Sequence, residues 1–300
     1  DLDDLIRMLD EPFGSAGSDT APSEPPADPV TVLGDVWELG PHRLVCGDST
    51  DPETVRTAMG GGRAKLMATD PPYLVGYQGG NHPQSWHNKT EVKDKHWDDY
   101  REHEGSVDFY IKFLQAAINQ ALTDEPAVYQ WHAFYRQNIV MKAWEHTGLL
   151  HHQQIIWVKS RAVLTRSCFM WQHEPCIYGW IQGHRPHLLP PNNETTVWNV
   201  DQKGESDGIH PTQKPVALFE RPIGWHTRPD DTIYEPFAGS GTAIIAAHNT
   251  GRRCCGIELS PAFCDVICAR FQAHTGITPT RGGTPHNFTN GASPTPDAEA

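Results

Sequence analysis

Between residues 65 and 275, short apolar runs alternate with stretches of helical period, and few folds accommodate that order. KLMATD (65–70), AVYQWH (127–132), QQIIWVK (153–159), PCIYGW (175–180), TIYEP (232–236) and RCCGIEL (253–259) read as strands. SVDFYIKFLQAAINQAL (106–122, with Ser106 as N-cap), FYRQNIVMKAWEHTG (134–148) and TQKPVALFERPIGWHT (212–227) read as helices. So do GTAIIAAHNTG (241–251) and PAFCDVICARFQAH (261–274), the last opened by Ser260 and Pro261. Gly148 and Gly251 close two of these helices. The alternation predicts an α/β fold, a mainly parallel sheet with helices on both faces.

The ends have a different composition. Residues 10–30 are Pro, Ser, Ala and acid with little to bury, so residues 1–33 are expected to form an acidic, disordered linker. Before it, Leu2, Leu5, Ile6 and Leu9 share one helical face, as the last helix of an upstream domain would. Residues 277–300 are Pro, Thr, Gly and Asn and are expected to be a disordered tail, which leaves 34–276 as one domain. Inside it, residues 74–105 and about 160–210 are rich in Gly, Asn, His, Trp and charge. Long loops of this kind in a compact domain usually carry function.

A net charge of −13 argues against a polyanionic partner until it is mapped. Residues 1–35 carry nine acids and one base, and residues 281–300 two acids and one base, which leaves −4 for residues 36–280. DNA is therefore not excluded. Seven cysteines, an odd number in a chain too large to need staples, predict reduced thiols and a cytoplasmic setting. The apolar surroundings of Cys255, Cys264 and Cys268, with no C-x-x-C pair, favour buried hydrophobes over zinc. Twelve of the seventeen histidines fall in residues 76–210 without metal-ligand spacing, so no metal is expected. No run of eighteen apolar residues exists, so no membrane span is expected.

TIYEPFAGSGTAII is a strand, a Gly-rich turn and a helix, in which Gly239 and Gly241 let the backbone turn tightly and approach a ligand. Glu258 closes the next strand, 19 residues after Gly239. An acid about 20 residues from such a turn hydrogen-bonds ribose hydroxyls in nucleotide-binding units. Ile244 stands where a dinucleotide site has its third glycine, and the Lys of a P-loop is absent. A nucleoside without phosphate fits better, and S-adenosylmethionine is one.

Asp70-Pro71-Pro72-Tyr73 follows the apolar strand KLMAT directly. The two prolines stiffen the turn and remove two donors, leaving carbonyls free to accept. A carboxylate, rigid acceptors and an aromatic face then lie at the carboxyl end of a strand, the ligand-binding end of α/β sheets. An amino group on a planar base asks for this set: acceptors on its N–H bonds, and Tyr73 beside a base swung out of the helix.

Together these residues resemble the DNA amino-methyltransferases of the circularly permuted, or beta, class. ATDPPY (68–73), HPTQKP (210–215) and FAGSGT (237–242) followed by GIELS (256–260) carry the resemblance, which covers about residues 34–275. It implies a Rossmann-like methyltransferase fold with the catalytic turn before the cofactor turn in sequence. It implies transfer of a methyl group from S-adenosylmethionine to the N6 amine of a flipped adenine in double-stranded DNA. Asp70, Pro71, Pro72 and Tyr73 would be catalytic. Phe237, Ala238, Gly239, Ser240, Gly241 and Thr242 would hold the methionine part of the cofactor, with His210, Thr212 and Lys214 lining that end. Glu258 would take the ribose and Asp48, in CGDST, would lie near the adenine ring. Glu235 departs from the family's more frequent Asp but keeps the charge.

The segment 160–209 stands where the class keeps its target-recognition region. Lys159, Arg161, Arg166 and Arg185, against Glu174 alone, suit DNA phosphates, with Trp157, Phe169 and Trp171 between them to fill the gap left by a flipped base. Cytosine N4 is the alternative target, although enzymes of that kind more often carry Ser where Asp70 stands. The resemblance further implies a bacterial or phage origin, a restriction-modification setting and a homodimer, the last supported by no interface legible in the sequence. GDVWELGPHRLVCGDST also resembles enzymes in which such a methyltransferase follows a ParB-like domain.

Overall fold

Leu66, Met67 and Ala68 are consecutive and all buried, so the strand that carries them must be covered on both sides. In the computed structural model, which describes residues 25–73, 107–163, 168–200 and 213–288, it is. The chain begins with β1 (Val36–Leu39), β2 (His42–Cys46), α1 (Pro52–Met59), β3 (Ala64–Thr69), α2 (Asp108–Gln120) and β4 (Leu122–Trp131). A 3-10 turn (Phe134–Arg136) leads into α3 (Gln137–His146), then β5 (Leu149–Val163), β6 (Trp171–Ile181) and β7 (Val197–Asn199). It continues through α4 (Ala217–His226), β8 (Thr232–Glu235), α5 (Thr242–Asn249), β9 (Arg253–Glu258), α6 (Pro261–Thr275), β10 (Thr280–Arg281) and β11 (Thr284–Pro285).

These strands form one sheet in the order β11-β10-β1-β2-β9-β8-β3-β4-β6-β5-β7. From β2 to β4 all neighbours are parallel, whereas β6 runs against β4 and β5 against β6. Alternate side chains serve opposite faces. Val45, Met67, Val128 and Ile257 pack against Val55, Phe113 and Trp144 of α1, α2 and α3. Leu44, Leu66, Ala127 and Ile233 pack against Phe219, Ile244 and Phe271 of α4, α5 and α6. Each fully buried Phe contributes roughly 1.5–3 kcal/mol. The expected architecture, a mainly parallel sheet with helices on both faces, is the one observed.

Local chemistry sets the helix ends. Asp51 caps α1 by accepting from the amides of Glu53 and Thr54 at 3.1 and 3.2 Å, and Gly60 ends it at φ +55°. Ser260 caps α6 by accepting from Phe263 N at 3.4 Å, as the sequence predicts. Ser106 lies outside the described residues; Val107 precedes α2 without a side-chain cap. The helix predicted from residue 212 starts only at Ala217, because Pro215 disfavours helical backbone at Lys214.

Three boundaries need correction. Residues 277–288 are not a disordered tail: β10 and β11 extend the sheet past β1, with Gly282 and Gly283 at φ +56° and +77° forming the turn. His286, Phe288 and the Arg281 guanidinium then cover Trp37. The leader also joins the fold earlier than residue 34, since Asp265 accepts from Val30 N at 2.6 Å and Thr31 N at 3.1 Å. Finally, residues 160–163 and 171–174, expected in a long loop, continue the β5 and β6 ladder.

Candidate active site

Parallel strands deliver their carboxyl ends to one edge of the sheet. In order along it lie the ends of β2 (Cys46), β9 (Glu258), β8 (Glu235), β3 (Thr69) and β4 (Trp131). β6 runs the other way and so brings its first residues there, with Cys176 paired to Trp131. Asp48, Glu258, the turn 236–242, Asp70–Tyr73 and Glu174 therefore share one edge, where α/β sheets bind ligands.

At its centre are two carboxylates and two ammonium groups in an alternating chain. Lys214, buried to 4% exposure, donates to Asp70 Oδ2 and, at 3.0 Å, to the Tyr73 hydroxyl, and pairs with Glu174 Oε2 at 3.1 Å. Glu174 Oε1 pairs with Lys159 at 2.5 Å, and Tyr73 donates to Glu174 Oε2 at 3.1 Å. The Lys214 ammonium also stands 5.3 Å from the Tyr73 ring centre and 5.8 Å from that of Trp131. Burial raises the Asp70 carboxyl above its ordinary range, although Lys214 pulls it back. Burial pushes Glu174 the same way, but Lys214 and Lys159 outweigh it and hold it at about 2. Asp70 Oδ1 is buried and has no hydrogen-bond partner among the described residues. The Pro72 carbonyl is not left free as the sequence suggests, because it accepts the Tyr110 hydroxyl of α2 at 3.0 Å.

The glycine turn lies one strand away. Gly241 sits at φ +86°, and a Cβ there would come within 3.0 Å of Ile267, so both conformation and space require glycine. Glu258 closes β9 and accepts from Gly239 N at 2.9 Å and Ser260 N at 2.8 Å; burial pushes its carboxyl up to about 7. Asp48 accepts from Thr50 N at 2.8 Å, and beside it the Ser49 hydroxyl is buried without a partner among the described residues. Glu235 joins the two turns by accepting from Thr69 Oγ1 of β3 at 2.6 Å and from Phe237 N at 2.9 Å. The hydroxyls of Ser240 and Thr242 both accept from buried Arg270 at 3.1 Å, so they brace the turn from behind. The Phe237 ring packs on Phe113 of α2 at 4.9 Å, and the Ala238 amide donates to Ile257 O at 2.8 Å.

A family model of N6/N4 methyltransferases, described as DNA methylase, matches residues 64–269. The chain belongs to this family of DNA methylases. A relative in Streptococcus pneumoniae, the Type II methyltransferase M2.DpnII, is 27% identical over 69% of this chain and 82% of its own. In structure the methylase is similar to the cytosine-N4-specific PvuII DNA methyltransferase, with a TM-score of 0.57 at 15% identity over 86% of this chain and 90% of that one. It is also similar to the M1.HpyAVI–SAM complex, with a TM-score of 0.53 at 20% identity over 75% and 96% of the two chains.

The methylase does not gather all the residues singled out in its sequence. His210, Thr212 and Arg166 lie outside the described residues. Lys159 is no free surface cation, being committed to Glu174. Arg161 is exposed near the end of β5, toward the active edge. Arg185 follows the far end of β6; at ~3.4 Å per residue, Glu174 and Ile181 are roughly 24 Å apart, so Arg185 belongs to the opposite edge. Trp157 is core, buried and donating to Val200 O at 3.1 Å, and so cannot fill a gap in DNA. Trp171 instead joins Phe134 and Tyr135, both exposed, in an aromatic group beside β4. Sequence reasoning missed Glu174 as a site residue; its one signal was being the lone acid in a basic stretch. The methylase has no helix among the described residues long and apolar enough to cross a membrane.

Proposed function

We propose that this DNA methylase transfers a methyl group from S-adenosylmethionine to the N6 amine of an adenine swung out of double-stranded DNA. The observation that carries the reading is the adjacency of the Asp70 cluster and the glycine turn on one edge, tied by the Thr69–Glu235 bond. The donor set suits S-adenosylmethionine. Glu258 offers a carboxylate already held in place by two amides, for ribose hydroxyls, and the orphaned Ser49 hydroxyl beside Asp48 is a further polar group for the adenosine end. Asp48, Glu258, Gly239 and Asp70 follow one another over three strand spacings, roughly 14 Å, which fits an extended nucleoside with an amino-acid tail. The cofactor supplies a methyl group on a sulfonium.

The chain's own residues prepare the amine. The unpaired Asp70 Oδ1 is an acceptor for one amine N–H, which orients the nitrogen lone pair toward the cofactor side. Lys214 opposes the upward push of burial on Asp70 and fixes the carboxyl through Oδ2. The Tyr73 face, steadied through its hydroxyl by Lys214 and Glu174, packs against the base. A carboxylate raised by burial stabilises the positive charge growing on the nitrogen and is basic enough to take its proton. Arg161, at the active-edge end of β5, marks the proposed DNA-reading side. The order of the two turns and HPTQKP at 210–215 support the permuted class.

The test is methyl transfer from labelled cofactor to unmethylated DNA, with nucleosides separated by mass, for the wild type and Asp70→Ala. N6-methyladenine from the wild type alone is expected. N4-methylcytosine would replace adenine by cytosine as the target, the outcome favoured by the likeness to the PvuII enzyme. No product from protein that binds the cofactor would overturn the reading.

A further inference from the structure

We propose that Glu174 is a positioning residue for the reaction: from the start of β6 it holds Lys214 in register with Asp70, with Lys159 as its counter-charge. This deepens, and rests on, the methyl-transfer reading. The argument begins with backbone. Lys214 lies between described residue 213 and the start of α4 at Ala217, outside any helix or strand. Its long side chain has much rotamer freedom to lose and no ladder to fix it. Glu174 differs, because β6 pairs with β4 through Cys176 and Trp131, and β4 pairs with β3, which ends beside Asp70. The sheet thus sets Glu174 and Asp70 relative to one another, and Lys214 is suspended between them.

Valence agrees. An ammonium has three donors. Those of Lys214 meet three acceptors, Asp70 Oδ2, the Tyr73 hydroxyl and Glu174 Oε2. Glu174 Oε2 also takes the Tyr73 hydroxyl proton, which closes a triangle, and its Oε1 holds Lys159. Without Glu174 the ammonium would have Asp70 as its one carboxylate partner among the described residues.

Burial works against charge on the other groups that face this cluster among the described residues. Burial pushes the Tyr73 hydroxyl, the Cys176 thiol of β6 and the Glu235 carboxyl of β8 well above their ordinary values. Among the described residues, the charge near Asp70 and Lys214 therefore comes from Glu174 and Lys159. A carboxylate at 174 raises the pKa of both Asp70 and Lys214, and removing it lowers both.

Glu174→Gln, Glu174→Asp and Lys159→Gln are compared with the wild type by two measurements. The first is the pH dependence of methyl transfer. Glu174→Gln is expected to lower kcat on the order of tenfold and to move both limbs to lower pH by about one unit, with cofactor affinity unchanged. Glu174→Asp is expected to restore the limbs. Lys159→Gln removes a positive charge and is expected to shift them the opposite way; it remains informative if Glu174→Gln fails to fold.

The second measurement is the titration of the Lys214 ammonium, read by NMR of protein carrying 13C-labelled lysine, which needs no turnover and no reagent access to the buried side chain. Lys214 is expected to titrate at lower pH in Glu174→Gln than in the wild type. An unchanged Lys214 titration, or pH limbs that do not move in Glu174→Gln and Lys159→Gln, overturns the proposal. A shifted Lys214 titration in protein that makes no methylated nucleoside supports Glu174's hold on Lys214 and overturns the methyl-transfer reading instead.

Discussion

Glu235 and Glu258 end neighbouring strands, and burial raises both, but they face different partners. Glu235 is closed in by Thr69 and Phe237. Its native pKa is raised well above the ordinary 4.5, so the stability it lends is full below that value and is lost as pH climbs through the raised one. Glu235→Gln keeps the acceptor and discards the titration. Its melting temperature relative to the wild type is expected to improve as pH rises above the ordinary 4.5; a constant difference would contradict this. Glu258 titrates at about 7 and keeps lone pairs beyond the two amides it accepts. Calorimetry should find S-adenosylmethionine binding tightening from pH 6 to pH 8. Glu258→Gln should weaken it about tenfold and flatten the profile, a hydrogen bond to a charged group being worth roughly 1.5–3 kcal/mol. Asp70→Asn should cost about 10²–10³-fold in single-turnover methylation while sparing cofactor affinity. Asp70 and Glu258 were legible because each motif lies within one turn or one strand–helix–strand unit. Glu174 was not: its contact with Lys214, 40 residues on, exists because β6 reverses direction beside β4. Nor does spacing reveal that Arg270 of α6 claims the Ser240 and Thr242 hydroxyls.

At the scale of elements, strands buried on both faces were readable, because an apolar run such as Leu66–Ala68 leaves little choice. β1, β2 and α1 were passed over, although Asp51-Pro52 and Gly60 are ordinary helix signals. The β10–β11 hairpin was hidden by composition: Thr, Arg, Gly and Pro read as tail until Trp37 supplies a surface to cover. Deleting residues 277–300 should therefore cost stability. Uncovering Trp37 and unpairing β1 is expected to remove roughly 2 kcal/mol, seen as a lower urea midpoint. An unchanged midpoint would mean that the hairpin only rests on the domain.

For the whole molecule, charge is distributed so that the acid is concentrated away from residues 36–280. Removing residues 1–24 deletes seven acids and one base. DNA affinity is expected to rise in ~50 mM salt, with the gain fading as salt is added; an equal affinity at low salt would show that the leader's field does not reach the DNA. The sheet has a further consequence at this scale. A long array of hydrogen-bonded strands is a template on which another chain can crystallise its own backbone, and the hazard resides in its outermost strands. Here those are β11, two residues ending in Pro285, and β7, three residues. On the β11 side an arriving chain finds too few free amides to extend the ladder, whereas β7 shields only Ile156–Val158 of the fifteen-residue β5, so the rest of β5 is the rim along which a foreign strand would add.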